Sequence, residues 1–266
     1  MAKRKLSTRA GIDDEMMKRL CTGGIGTCKD LFEKSLPHLM TTIDLSLRQV
    51  QELVGKVAKF ASPRSQTAWA LLEARQTKAA FLSTRIPTID GALRGGLPRG
   101  SLSEIVGPAG VGKTQFCLMM TAMAVVGEAQ GGLGDQTGVL YIDTERKFAA
   151  ERLVEIARHQ APYWFSEEDC VEGPIVAKAR VNALLDQVVV QNVEDTHDLT
   201  KYLENLEPIL IERKIGVLVI DSIAALARLD FESTRSGGAA RGNVLVGQAA
   251  SLKRLADAYN LVVRPP

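Results

Sequence analysis

Eight residues constrain this chain more than any other feature. Gly107-Pro108-Ala109-Gly110-Val111-Gly112-Lys113-Thr114 satisfies the pattern G-x-x-x-x-G-K-[ST]. The run follows SLSEIV (101–106), which reads as a strand, and precedes an apolar helix expected from about residue 114. In that setting the glycines let backbone N–H groups close around phosphates, and the helix N-terminus adds the positive end of its dipole. The Lys113 ammonium can reach the terminal phosphates, and the Thr114 hydroxyl can ligate magnesium. A chance glycine-rich turn would need neither the strand before it nor the helix after it.

The chain around this loop reads as alternating strands and helices. GVLYID (138–143), QVVVQNV (187–193), VLVID (217–221) and LVV (261–263) join SLSEIV as strands, with helices expected near 114–128, 149–159, 197–213 and 243–259. Near-continuous apolar strands separated by amphipathic helices predict a parallel sheet covered on both faces. Ligands of such sheets bind beyond the C-terminal ends of the strands, and two of these strands end in acids. Val217-Leu218-Val219-Ile220-Asp221, followed by Ser222, offers a carboxylate that can hold magnesium through water. Asp143-Thr144-Glu145 places Glu145 where it could polarise an attacking water. Its other reading is a helix-capping acid ahead of FAAERL.

Ahead of this core the periodicity is helical throughout. Met16, Met17 and Leu20, then Leu31, Phe32, Leu36 and Leu39, then Leu47, Val50, Leu53, Val54 and Val57 recur at helical spacing, with turns at GGIG (23–26) and Pro37. The predicted organisation is a small helical domain over 1–60, a connecting and partner-docking segment over 61–84, and an α/β core over 85–266. Trp69, Leu71, Leu72, Phe81 and Leu82 make the connecting segment too apolar for a free linker, so it is expected to pack on something.

Composition removes other classes. With 45% hydrophobic and 24% charged residues, the 266-residue chain is neither collagen-like nor disordered. No apolar run approaches the roughly 18 residues that span a bilayer, so no membrane association is expected. The basic start MAKRKLSTRA lacks the apolar run of a secretory signal, and an intracellular chain is expected. The net charge is only +2, yet residues 1–61 hold 11 Lys and Arg against 7 Asp and Glu. That imbalance fits either a polyanionic partner or a solvated helical surface. Cys21, Cys28, Cys117 and Cys170 form no C-x-x-C pair, and His38, His159 and His197 stand apart, so reduced thiols and no structural zinc are expected.

TIDGALRGGLPRGSLSEIVGPAGVGKTQ, YIDTE followed by FxxERL, and LVIDS resemble the RecA-like eukaryotic recombinase family. Gln115 after GKT fits that branch, and GKTQFCLMM, IDTERKFAAERLVEIA and SPRSQTAW resemble its B-type paralogues. The resemblance implies a RecA-like P-loop ATPase core behind a small all-helical domain. It implies ATP and magnesium as cofactors and slow DNA-stimulated hydrolysis. The implied place is a nuclear paralogue complex, with the C-type paralogue and other paralogue subunits, that assists homologous recombination repair of DNA double-strand breaks on single-stranded or branched DNA. By position, Glu145 would activate water, Arg152 would lie against the adenine, and Thr114 and Asp221 would serve magnesium. RLDFESTRSGGAARGN (228–243) would be the first DNA-binding loop, with Arg235 and Arg241 presented on irregular backbone; its other reading is a surface loop whose charge Asp230 and Glu232 dilute. A catalytically weak, ATP-bound interaction subunit would share all these motifs. Another P-loop NTPase or kinase fits less well, and no N-K-x-D tetrad for reading guanine occurs.

Three departures from the family pattern matter. Its Phe-x-x-Ala docking element reads Ser65-Gln66-Thr67-Ala68 here, which argues against a homofilament. Its hairpin glycine is Asp44, whose charge opposes close phosphate approach. Where the family continues with a sensor strand and a second DNA-binding loop, this chain reads Arg264-Pro265-Pro266, so a C-terminally incomplete core is expected.

Overall fold

The computed structural model describes Leu6, residues 11–62, Ser65, and residues 67–76, 81–134, 136–231 and 237–264. The chain divides into two compact units, Met1–Leu72 and Glu73–Pro266.

The first unit holds α1 (Asp14–Thr22), α2 (Cys28–Glu33), α3 (Leu36–Ile43) and α4 (Leu47–Ala61). Each starts where the sequence supplies a cap. Asp13 accepts from the Met16 amide at 2.7 Å, while Thr27 with Asp30 and Ser46 with Gln49 form reciprocal capping boxes. Leu20, Leu31, Leu39, Ile43, Val50 and Val57 close the core between the four helices. Asp44 turns the chain from α3 into α4 at φ +51°, in the left-handed region that aspartate tolerates better than most residues. Helix α5 (Ala68–Gln76) runs across the division of the chain. Trp69 and Leu72, expected to be packed, are 68% and 48% exposed.

The second unit opens with β1 (Phe81–Leu82), α6 (Pro87–Ala92) and β2 (Leu97–Pro98), the two strands forming an antiparallel pair. Gly96 sits at φ +121°, where an added Cβ would fall 2.3 Å from the Leu82 carbonyl oxygen. Gly96→Ala is therefore expected to destabilise this unit by about 2–3 kcal/mol, from backbone strain together with overpacking. A lowered urea midpoint at unchanged slope checks it.

There follow β3 (Ser101–Leu102), α7 (Lys113–Ala124), β4 (Gly138–Asp143), α8 (Ala150–Gln160), α9 (Pro162–Phe165), α10 (Pro174–Gln187) and β5 (Val188–Asn192). The unit closes with α11 (Thr196–Glu204), α12 (Glu207–Glu212), β6 (Ile215–Asp221), α13 (Ile223–Phe231), α14 (Gly237–Tyr259) and β7 (Val262–Arg264). Five strands make a sheet of order β3-β7-β6-β4-β5, every pairing parallel. All of β4 and β6 is buried, as a central strand covered on both faces requires. One face packs Met120, Met123, Leu153 and Phe165; the other packs Leu199, Leu226, Leu252 and Leu255. The expected parallel sheet with helices on both faces is thus the fold.

The register fixes where chemistry can sit. Asp143 pairs with Asp221 on one side and Asn192 on the other, so β4, β5 and β6 end level in polar residues at one edge.

Some local expectations are corrected. The strand SLSEIV shrinks to Ser101–Leu102, because β3 is an edge strand laddered only to β7 and its chain then peels away, leaving Val106 84% exposed. The helix expected over 197–213 breaks into α11 and α12. Pro208 has no N–H to donate and its ring clashes with the carbonyl four residues back, at Glu204, which ends α11. Of the stretch 228–243 expected to be irregular, the described residues are helical. Arg228–Phe231 finish α13, and residues 237–243 form the first turns of α14. Glycines inside a helix cost about 1 kcal/mol each, but a 23-residue helix anchored by Leu252 and Leu255 includes Gly237, Gly238 and Gly242. Arg235 lies outside the described residues; Arg241 falls within α14, its side chain likewise outside them. Among the described residues no helix is long and apolar enough to cross a membrane.

Candidate functional site

The level edge of the sheet opens into a cleft of about 550 Å³. Gly107, Lys113, Thr114, Glu145, Asp221 and Arg228 are among the residues that line it. The glycine-rich turn takes its shape from Gly110 at φ +81° and Gly112 at φ +93°, both in the region that favours glycine. Helix α7 begins at Lys113 with no side-chain cap bond, so its first N–H groups face the cleft as donors without a side-chain acceptor. The Lys113 Nζ donates to the carbonyl oxygens of Gly107 at 2.9 Å and Pro108 at 2.8 Å, folded back on its own loop.

The acids at the strand ends play different parts. Asp143 faces inward and shapes the next turn, its carboxylate accepting from the amides of Glu145 at 3.1 Å and Phe148 at 2.7 Å. Asp221 accepts from the Tyr141 hydroxyl at 2.9 Å, which fixes the direction of its carboxylate. Burial, reinforced by the Asp221 charge, pushes the Tyr141 pKa far above that of a free phenol, so this donor stays protonated. The tips of β4 and β6 are tied twice more. The Thr144 amide donates to the Asp221 carbonyl at 3.0 Å, and the Thr144 hydroxyl bonds both the carbonyl and the amide of Ser222.

Glu145 does not cap α8, whose N-cap position is Ala149. Its carboxylate lines the cleft, where Oε1 accepts from Ser222 Oγ at 3.3 Å and Oε2 pairs with Lys147. The Lys147 ammonium holds the Glu145 carboxyl below the usual glutamate range, against the opposing effect of burial. Arg152, on α8, donates through Nε to Gln115 Oε1 at 2.8 Å and pairs with Glu155 at 2.7 Å. Gln115 lines the cleft, so Arg152 meets it through that amide.

The structure therefore brings together Gly107, Ala109, Gly110, Gly112 through Gln115, Glu145 and Asp221, with Arg152 one bond away; Pro108 and Val111 belong to the same loop but do not line the cleft. Tyr141 and Lys147 were missed by sequence reasoning. Lys147 stood two positions from Glu145, but nothing in the sequence said that the turn would fold it back. Among the described residues no group of three or more His, Cys, Asp or Glu could hold a metal ion. The cleft nonetheless suits magnesium, which takes one or two protein oxygens and completes its shell with water and phosphate. Thr114 and Asp221 supply a hydroxyl and a carboxylate of that kind.

Comparison with known proteins follows the same lines. The Rad51 family model matches residues 75–264, and the XRCC3/RpoA-like helix-hairpin-helix domain model matches residues 7–61. A mouse DNA repair protein, RAD51 homolog 2, is 38% identical over 266 residues, covering 99% of this chain and 72% of its own length. Its human counterpart is 36% identical, covering 99% of this chain and 66% of its own length. An Arabidopsis DNA repair protein XRCC3 homolog is 32% identical over 186 residues, 68% of this chain and 58% of that protein. The chain thus spans about two thirds of the length of these RAD51 homologs. With a five-stranded RecA-like sheet, a helix-hairpin-helix unit and whole-chain similarity to RAD51 homologs, the chain belongs to the Rad51 family.

Proposed function

We propose that the chain binds ATP with magnesium in the cleft headed by Lys113 and serves as a nucleotide-dependent subunit of a RAD51-paralogue complex in homologous recombination repair of DNA double-strand breaks. The observation that carries this reading is convergence. The uncapped start of α7 with its Lys113, Glu145 beyond β4 and Asp221 at the end of β6 come from separate elements and meet in one cleft.

The chemistry follows from the residues. Lys113 exchanges two carbonyl partners for phosphate oxygens, a gain because hydrogen bonds between charged groups are stronger than those to neutral carbonyls. Backbone N–H groups from Gly110 to Thr114 add donors along the phosphates. Thr114 and Asp221 hold magnesium, which when bound neutralises phosphate charge. Tyr141 keeps Asp221 aimed. Glu145 accepts the proton of the attacking water, and Arg152 with Gln115 flanks the nucleotide.

The names of the relatives support a role in DNA repair; the nucleus and pairing with paralogues such as the C-type subunit belong to this reading through the family resemblance alone. Exposed Trp69 and Leu72, beside a segment without the docking phenylalanine, support pairing with a related subunit over a homofilament. DNA, single-stranded or branched, is assigned to the segment 228–243 with Arg235 and Arg241. A second reading, an ATP-bound interaction subunit with weak turnover, is favoured by one observation: Glu145 is already engaged by Lys147.

Lys113→Ala tests the nucleotide site. It removes a charge-assisted contact worth about 1.5–3 kcal/mol, so ATP affinity is expected to fall about ten- to a hundredfold. Equal affinity of the variant and the parent chain for a fluorescent ATP analogue would place the nucleotide elsewhere.

A further inference from the structure

We propose that Lys147 is a positioning residue that holds the Glu145 carboxylate in reserve, so that the chain keeps ATP bound and turns it over slowly. The inference rests on the nucleotide reading above and adds the residue that sets its rate.

Both Glu145 oxygens are engaged in this structure, one by Ser222 and the other by Lys147. Each oxygen keeps a second lone pair, but the adjacent cation competes for the carboxylate and lowers its basicity toward a water proton. The turn that follows β4 brings the pair together. Asp143 gathers the amides of Glu145 and Phe148, Arg146 bends the chain at φ +55°, and residue 147 returns over residue 145. Arg146 pairs outward with Glu194, which follows β5, so the loop is braced on its far side. Lys147 itself lines the cleft.

The pair is weak enough to open. Lys147 is 62% exposed and Glu145 30% exposed, so solvent screens their attraction and the brake is modest. When it opens, the water oxygen bonds to the terminal phosphorus and its proton passes to the freed Glu145 oxygen. The bond from that phosphorus to the bridging oxygen breaks, and its electron pair stays with the departing ADP.

The test uses the full chain with ATP and magnesium, as the parent, Lys147→Met, Lys147→Arg and the double variant Lys147→Met with Glu145→Gln. Lys147→Met is expected to raise the single-turnover rate about three- to tenfold, with ATP affinity changed by less than about threefold. Lys147→Arg keeps the parental rate, and the double variant loses the gain. Without nucleotide, a carbon-13 titration of the Glu145 carboxyl is expected to show its pKa rising toward the ordinary glutamate value in Lys147→Met. An unchanged or lower rate in Lys147→Met, an equal gain in Lys147→Arg, or an unmoved carboxyl titration overturns the proposal. A parent chain that binds no ATP defeats the nucleotide reading instead, and the carboxyl titration still decides whether Lys147 governs Glu145.

Discussion

Replacing Glu145 with Gln is expected to leave ATP affinity within about twofold and to lower turnover about a hundred- to ten-thousandfold, the range that general acid–base catalysis contributes. The amide keeps the size and position of the carboxylate and can still accept from Ser222, which lies 3.3 Å from Oε1. It cannot take a proton from water. Because the proposed reading assigns affinity to the loop around Lys113 and turnover to Glu145, the two readouts separate. Retained turnover at saturating ATP would leave Glu145 as nothing more than a partner for Lys147. The pH dependence carries the same signature. With its pKa held below the usual value, Glu145 stays ionised through the neutral range, and turnover is lost only as pH falls through that depressed pKa.

Phe165→Ala should have the largest effect on stability. The ring is fully buried at the end of α9, in the core that also holds Met120, Met123 and Leu153. Truncation removes apolar contact and leaves a cavity that the surrounding helices fill only in part, at a cost of about 3–5 kcal/mol. Trp69→Ala removes a larger ring that is 68% exposed, and its effect is expected within about 0.5 kcal/mol. Urea unfolding followed by fluorescence compares them. The chain has two tryptophans, so Trp69→Phe leaves Trp164, next to Phe165, as the reporter of the sheet-bearing unit. A Phe165→Ala midpoint close to the parent's would mean that the core repacks around the loss.

The parts of the fold that could be read from sequence are those set by local chemistry. β4 and β6 read as central strands because every residue before their terminal acids is apolar or glycine. The glycine-rich loop could be read because its glycines, lysine and threonine serve one local geometry. Helix α10 escaped notice because PIVAKARVNALLDQ shows little apolar face, although Gly173-Pro174 marks its start. The bond from Tyr141 to Asp221 spans 80 positions and depends on strand register, which no spacing along the chain encodes. The fold-back of Lys147 depends on Arg146 entering the left-handed region, a conformation that arginine does not announce.

Ser222 gives the junction of β6 and α13 a mechanical character. Its Oγ donates to Glu145 and also accepts from the Ala225 amide at 3.2 Å, in the first turn of α13. The hydroxyl proton makes the Glu145 bond and an oxygen lone pair accepts from Ala225, and both form only in a rotamer that suits both partners. A shift of the Glu145 carboxylate would draw on this hydroxyl and so on the anchor of the helix behind it. Strand tip and helix start therefore share a single hinge pin, the Ser222 hydroxyl.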